Sequence, residues 1–320
     1  MRKVKLLTVV VPCFNEQEVL PLTYIRLVYV LNDLIRCEKI FAYELIFVDN
    51  GSTDETLKVL KNLFEKDDHI RIVSLRRNFG YQGSITAGLF HARGDIVVTI
   101  DADLQDPPEK ISEMITFFQE GYDLVLGVRE DRSSDSLLKR LFSNIYYRLL
   151  KIMGVDVVSN HGDFRLMAKS LVDEFNAMTE RNRFIRAMIL QLESKYAIVS
   201  YKREPRIAGK TKFNISELFS FSFDGIISFS FFPLRLASIV GSILFICSTI
   251  SALWVLYIKL LTVRSIPGWA STLVPILGLG GMQLFFLGII GEYIGRLYVE
   301  VKQRPLFTVR EEFSHEKKYD

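Results

Sequence analysis

Asp101 and Asp103 stand two residues apart, just past the apolar run Ile96-Val97-Val98-Thr99-Ile100. The run is short, β-branched and preceded by Gly94, the pattern of a buried strand. Side chains two residues apart project to the same side of an extended chain. Both carboxylates can therefore face one divalent cation. Oxygen-only ligation suits Mg²⁺ or Mn²⁺, ions that usually bridge to substrate phosphates. In open α/β sheets ligands bind beyond the carboxyl ends of the strands. An Asp-rich surface turn has the same composition, so the surrounding elements must decide between the two.

Those elements alternate. Strands are expected at 7–11, 44–48, 70–75, 96–100 and 123–127, with helices at 16–36, 54–65 and 82–92 between them. This is the signature of a largely parallel, doubly wound α/β sheet. Asp106 before Pro107 reads as an N-cap followed by proline in the first turn of a helix. Residues 136–152 read as a basic helix. The polar tail from Glu311 reads as disordered.

The chain has 320 residues, and its composition is split. Up to about residue 212 it is charge-rich and globular. Residues 236–258 and 266–291 then carry no charged side chain. Each run exceeds the roughly 20 residues that a bilayer core requires. Arg203, Arg206, Lys210, Lys212 and Arg235 precede the first run, and Arg296, Lys302, Arg304 and Arg310 follow the second. The connecting loop has only Lys259 and Arg264. By the positive-inside rule both ends are cytoplasmic. The expected organisation is a catalytic domain over 1–212, an interfacial segment over 213–233, spans at 234–260 and 266–297, and a cytosolic tail over 298–320. Residues 214–232 alternate aromatics with serines, which suits a segment lying in the membrane surface.

The N-terminus lacks the long apolar core and small-residue cleavage site of a secretory signal. The catalytic domain is therefore expected in the cytosol, on a multi-pass protein of the cell membrane. Three cysteines in no recognisable spacing exclude a disulfide framework. A net charge of +3 gives no reason to expect nucleic acid. Small residues at Ala237, Gly241, 278–281 and Gly288 permit close helix packing and a homo-oligomer.

Three polar motifs converge on one sheet edge. They are Val11-Pro12-Cys13-Phe14-Asn15-Glu16, Val48-Asp49-Asn50-Gly51-Ser52-Thr53-Asp54, and Asp101-Ala102-Asp103-Leu104-Gln105-Asp106. Together they resemble the GT-A, Rossmann-like glycosyltransferases of family 2. Arg76-Arg77-Asn78-Phe79-Gly80, Gly162-Asp163-Phe164-Arg165, Lys210-Thr211-Lys212 and Gly291-Glu292-Tyr293 narrow the likeness. They resemble the polyprenyl-phosphate branch, above all the bactoprenol glucosyltransferases; dolichol-phosphate mannose synthase is a more distant relative. The resemblance implies inverting transfer of a sugar from a nucleotide diphosphate to undecaprenyl phosphate. Glucose from UDP-glucose is the first choice. N-acetylglucosamine, another UDP-sugar or GDP-mannose are the alternatives.

The same resemblance implies a nucleotide-sugar pocket of Pro12, Asn15, Glu16, Asp49, Asn50, Gly51, Arg77, Asp101 and Ala102. Asn50 stands where many relatives carry a second Asp, so the base or ribose contact can differ. Asp103 is the expected metal ligand, with Asp101 helping directly or through water, and Gln105 orienting a bound water or phosphate. A polyprenyl phosphate has a second pKa near ~6, so at neutral pH it needs little help from a base. Two anionic partners must instead be brought together, and cations do that. Arg129, Arg132, Arg140, Arg165, Lys210 and Lys212 are the candidates. Asp163 is expected to align Arg165, bind the metal or position the acceptor. His161 reads as a loop residue.

Two other classes fit the residues less well. A processive polysaccharide synthase shares the GT-A core but resembles its kin in a Gln-x-x-Arg-Trp motif. Neither tryptophan here, Trp254 or Trp269, follows an arginine. A non-catalytic sugar-nucleotide sensor has no need of Asp101, Asp103 and Asp163 together.

Overall fold

The structure is a computed structural model. It describes residues 2–130, 158, 161–181, 183–204, 239–241, 243, 246, 250, 253–254, 257 and 269–315. It divides into two compact units. The first is Met1–Ile152, Asp156–Asn214 and Arg304–Asp320; the second is Met153–Val155 and Ile215–Gln303.

The first unit alternates as expected. Its elements begin β1 (Leu6–Cys13), α1 (Leu20–Arg36), β2 (Ala42–Asp49), α2 (Thr56–Phe64), β3 (Ile70–Leu75), α3 (Gly80–His91) and β4 (Ile96–Thr99). A 3₁₀ turn (Pro108–Lys110), α4 (Ile111–Gln119) and β5 (Leu124–Arg129) follow. Then come β6 (His161–Ala168), α5 (Lys169–Ala177), α6 (Ile185–Leu192) and β7 (Tyr196–Tyr201). After α7 (Trp269–Lys302) in the second unit, the chain closes with β8 (Val309–Phe313).

The eight strands form one sheet in the order β7-β5-β6-β4-β1-β2-β3-β8. β1 is parallel to β2 and β4, and β2 to β3. The run 96–100, short, β-branched and preceded by Gly94, forms a strand over Ile96–Thr99. It lies between β1 and β6, with every residue buried. β6 is antiparallel to both β4 and β5, so the sheet is mixed rather than wholly parallel.

Three expectations change. The first part of the tail is ordered: β8 (Val309–Phe313) pairs antiparallel with β3. Buried Arg71 needs counter-charge, and it donates to Glu44 at 3.0 Å and to Glu312 of β8 at 3.0 Å. Phe313 meets Phe64 edge-on, and His315 stacks on the same ring at 3.9 Å. The tail's polarity is that of an edge strand. α7 also runs past 297 to Lys302, and the chain turns at Gln303, where φ is +47°. Helix α1 begins at Leu20 instead of 16, because the preceding residues are tied to the second motif. Glu16 donates its N–H to Thr56, and Gln17 to Asp54.

The helix expected at 136–152 and the interfacial segment 213–233 lie outside the described residues. In the second unit, among the described residues, no helix is long and apolar enough to cross a membrane. Some side chains of α7 are not in that set. Those of Ile276, Leu279, Leu284, Leu287, Ile290, Ile294 and Leu297 are, and all are exposed.

Gly51 shows how tightly the β2 loop is built. Its φ is +68°, and a Cβ there would stand 2.5 Å from the carbonyl carbon of Arg77. Gly51→Ala should therefore lower stability by ~1–3 kcal/mol through backbone strain alone, with the close approach adding to it. An unchanged melting temperature for that variant would show that the loop can move aside.

Candidate active site

The first two motifs form one hydrogen-bonded unit. Asn15, at φ +53°, receives Thr53 N–H on its Oδ1 at 2.8 Å and donates its own N–H to Ser52 Oγ at 3.0 Å. Asp49 is buried; it accepts Ser52 N–H and the Ser74 hydroxyl, each at 3.0 Å. Pro12 pairs with Val48 between the strands. Asn50 is used internally. Its Nδ2 donates to Asn78 Oδ1 and Gly80 O at 3.1 Å, and its Oδ1 takes Phe79 N–H at 2.9 Å. The side chain at this departure from the family pattern therefore shapes the 78–80 loop. Arg77, on that loop, is exposed and stacks over Phe79 at 4.4 Å.

The third motif follows β4. Ala102 is buried and its carbonyl accepts the Thr23 hydroxyl at 2.6 Å. Leu104 has φ +57° with its side chain buried, so the backbone turns sharply between Asp103 and Gln105. Asp103 Oδ1 accepts Gln105 N–H at 3.2 Å across that turn. Gln105 Nε2 donates to Glu204 O at 3.3 Å. Asp101 accepts the Tyr81 hydroxyl at 2.5 Å. Burial, and next to it Asp101, push the Tyr81 phenol well above its ordinary value, so it stays a donor.

Burial pushes the Asp101 carboxyl up to about 7, with Asp106 and Asp163 adding to it. Carboxylates crowd around Asp101, and that crowding tests whether a cation suits the site. Among the described residues no three His, Cys, Asp or Glu side chains converge as a closed metal cage. Two carboxylates beside an open side, completed by phosphate oxygens, are how Mg²⁺ is usually held. The residues present fit a divalent cation on Asp101 and Asp103.

Asp106 is not the helix cap. The following turn has no side-chain cap, and Asp106 is buried. Its Oδ1 accepts the Tyr201 hydroxyl at 2.6 Å and an Arg129 N–H at 3.3 Å. Arg129 also donates to the Tyr201 oxygen at 3.3 Å. Asp106 and Tyr201 thus fix a guanidinium whose side chain keeps 25% of its surface exposed.

β6 carries the fourth group. Asp163 and Arg165 lie two apart on this strand, so both turn to one side. Arg165 is completely buried and donates to Asp163. That departs from the expected contact with a phosphate: a guanidinium closed off from solvent is a counter-ion to Asp163. The exposed partner is Arg186 of α6, which sits on Asp163 Oδ2 at 2.5 Å. Burial alone would raise the Asp163 pKa, but Arg186 and Arg165 overcome it and hold the carboxyl well below the usual range. His161 is a buried strand residue and not a loop one. Burial, then Arg165 and Arg186, keep its imidazole well below the ordinary value and neutral.

The structure thus gathers Asp101, Asp103, Asp163 and Arg129 with Tyr81, Asp106, Tyr201 and Arg186, which sequence reading missed as site residues. Tyr81 directly follows the Arg76–Gly80 motif and was the one within reach of it. Arg186 and Tyr201 belong to no motif. Arg132, Arg140, Lys210 and Lys212 lie outside the described residues.

The family model described as glycosyl transferase family 2 matches residues 8–175. The uncharacterized glycosyltransferase YkcC of Bacillus subtilis (strain 168) is 41% identical over 312 residues, 97% of this chain and 95% of that protein. The prophage bactoprenol glucosyl transferase homolog of Escherichia coli (strain K12) is 39% identical over 305 residues, 95% of this chain and 98% of its own length. The bactoprenol glucosyl transferase of Shigella phage SfII is also 39% identical over 305 residues, with 95% and 97% covered.

Proposed function

The chain belongs to glycosyl transferase family 2, and we propose that it transfers glucose from UDP-glucose to a polyprenyl phosphate such as undecaprenyl phosphate. The lipid-linked monosaccharide would serve glycosylation of the cell envelope. Relatives bearing the bactoprenol glucosyl transferase name support this over almost the whole chain.

The state of Asp163 carries the choice of acceptor. An alcohol acceptor needs a base to take its proton. Asp163 is locked between Arg165 and Arg186 and held ionised far below neutral pH, so it is a poor base. A phosphate monoester is already mostly dianionic at pH 7, with its second pKa at ~6. What it needs is positive charge beside the donor. Arg129, fixed by Asp106 and Tyr201, and the exposed side of Arg186 supply it. Inversion follows when the phosphate oxygen attacks the anomeric carbon directly, opposite the leaving diphosphate.

Asp101 and Asp103 would hold Mg²⁺ or Mn²⁺, and such an ion neutralises charge on a departing diphosphate. Tyr81 orients the first carboxylate by its hydrogen bond. The Asn15–Ser52–Thr53 unit and Asp49 build the nucleotide pocket. The test is incubation of purified protein with a nucleotide-sugar panel, Mg²⁺ and undecaprenyl phosphate, with mass detection of lipid product. A glucosylated lipid is expected. Turnover with a different sugar alone would overturn the donor, and release of free sugar without lipid product would overturn the acceptor.

The membrane reading is part of the same proposal. Spans at 234–260 and 266–297, with the catalytic domain in the cytosol, agree with the charge distribution and with the exposed apolar residues of α7. Pairing of β8 with β3 adds a constraint of parity: a chain that leaves the sheet and returns to it crosses a bilayer an even number of times. In intact cells a cysteine introduced near Ser265 should react with an impermeant maleimide, and one near Lys212 should not. The reverse pattern would invert the orientation.

A further inference from the structure

The first unit contains a cavity of about 300 Å³ that the glycosyl-transfer chemistry does not use. It lies among Thr86 and Phe90 of α3, Asn176 at the end of α5, Arg181 and Arg183 of the next loop, and the segment Pro305–Phe307. Among the described residues that line it there is no carboxylate. Three of its buried polar atoms lack a hydrogen-bond partner: Thr86 Oγ1, Asn176 Oδ1 and Arg183 Nη1. Buried polar groups are nearly always paired, so three orphans around one cavity ask for a ligand.

Their chemistry specifies it. Arg183 is 7% exposed; the Glu180 carboxylate attracts it but makes no direct ion pair with it, and Arg181 repels it. Its other nitrogens are fixed, Nη2 on Met178 O at 2.6 Å and Nε on Glu180 O at 3.3 Å, with the guanidinium 4.7 Å over Phe175. The remaining N–H is thus held in place without an acceptor, and it suits an anion. Thr86, 2% exposed, can donate to the same anion. Asn176 is different. Its Nδ2 donates to Leu89 O at 3.2 Å, which fixes the amide and leaves Oδ1 as an acceptor seeking a donor. An oxyanion with a neighbouring hydroxyl satisfies all three. Phe90 and Phe307 give the cavity apolar walls, and Pro305 is only the third residue after Lys302, where α7 ends.

We propose that this cavity binds a glycerophosphate group, the polar head of an anionic membrane lipid. The lipid as source rests on reading α7 as a membrane span; the glycerophosphate chemistry does not. Arg183 lies three residues before Arg186, so an occupied cavity would also steady the start of α6 and the clamp on Asp163.

The test reads binding and not turnover, so it stands whether or not the acceptor assignment does. Glycerol phosphate and inorganic phosphate would be titrated into the full-length protein in neutral detergent. Native mass spectrometry would then follow retention of phosphatidylglycerol from nanodiscs. Glycerol phosphate should bind more tightly than inorganic phosphate. Arg183→Gln and the near-isosteric Thr86→Val should each weaken it by about tenfold, one charge-assisted contact's worth. Thr86→Val should fold at least as well as wild type, because it removes an unpaired hydroxyl, so its result remains readable if Arg183→Gln is unstable. Binding of glycerol phosphate without retention of phosphatidylglycerol would overturn the lipid source. No phosphate binding, or affinity unchanged by Thr86→Val, would leave the cavity filled by water and overturn the proposal.

Discussion

Asp103→Asn is expected to lower sugar transfer by about two to three orders of magnitude while leaving the fold intact, the usual effect of removing one charge-stabilising group from a reacting centre. Asn keeps the oxygen that accepts Gln105 N–H, so the turn at Leu104 survives. What it loses is one negative charge at a half-buried position. The companion carboxylate is already compromised, because burial and the neighbouring acids push Asp101 up to about 7 and Tyr81 holds one of its oxygens. The measurement is turnover across a Mn²⁺ titration, with circular dichroism to check the fold. Near wild-type turnover at limiting Mn²⁺ would remove the metal from Asp103.

The second expectation separates two arginines on one carboxylate. Arg165→Met should destabilise the first unit by about 1.5–3 kcal/mol, the loss of a buried charge-assisted hydrogen bond, because Arg186 still pairs with Asp163. Arg165 is fully buried and Asp163 nearly so. Arg186→Met should cost much less stability, since that side chain is about one-third exposed, yet it should impair transfer more than donor binding. The pH dependence follows from the sign of the shift. Asp163 titrates below its unfolded value of ~3.9. Its stabilisation is complete above that value and is lost only as pH falls through the lower, folded one. The Arg165→Met deficit should therefore be flat from pH ~5 upward. Thermal unfolding of both variants over pH 5–8 decides it; equal melting temperatures for wild type and Arg165→Met would sink the account.

How far the sequence could be read follows from range. The strands β1 to β4 and the Asp101–Asp103 pair were legible because each is specified within about ten residues by apolar runs and punctuation. Asp106 was misread for the same reason. Asp-Pro-Pro is a strong local signal for a cap, and nothing nearby announces that Tyr201 and Arg129 will claim the carboxylate. Arg165 was misplaced because a motif gives the residue but not the direction in which a strand turns it. β8 was missed because Glu312 has no visible purpose until Arg71, 241 positions earlier, is known to be buried against it.

That last strand also sets an order of events in the life of the chain. β3 is finished at Leu75, and its outer partner does not begin until Val309. At typical synthesis rates the interval between them is roughly 10–50 s. Through that time the edge of β3 is bare and Arg71 lacks one of its two carboxylates. The nascent sheet must wait while everything between residues 76 and 308 is made. Closure of that edge needs Val309–Phe313, so a polypeptide terminated before residue 309 releases no finished sheet.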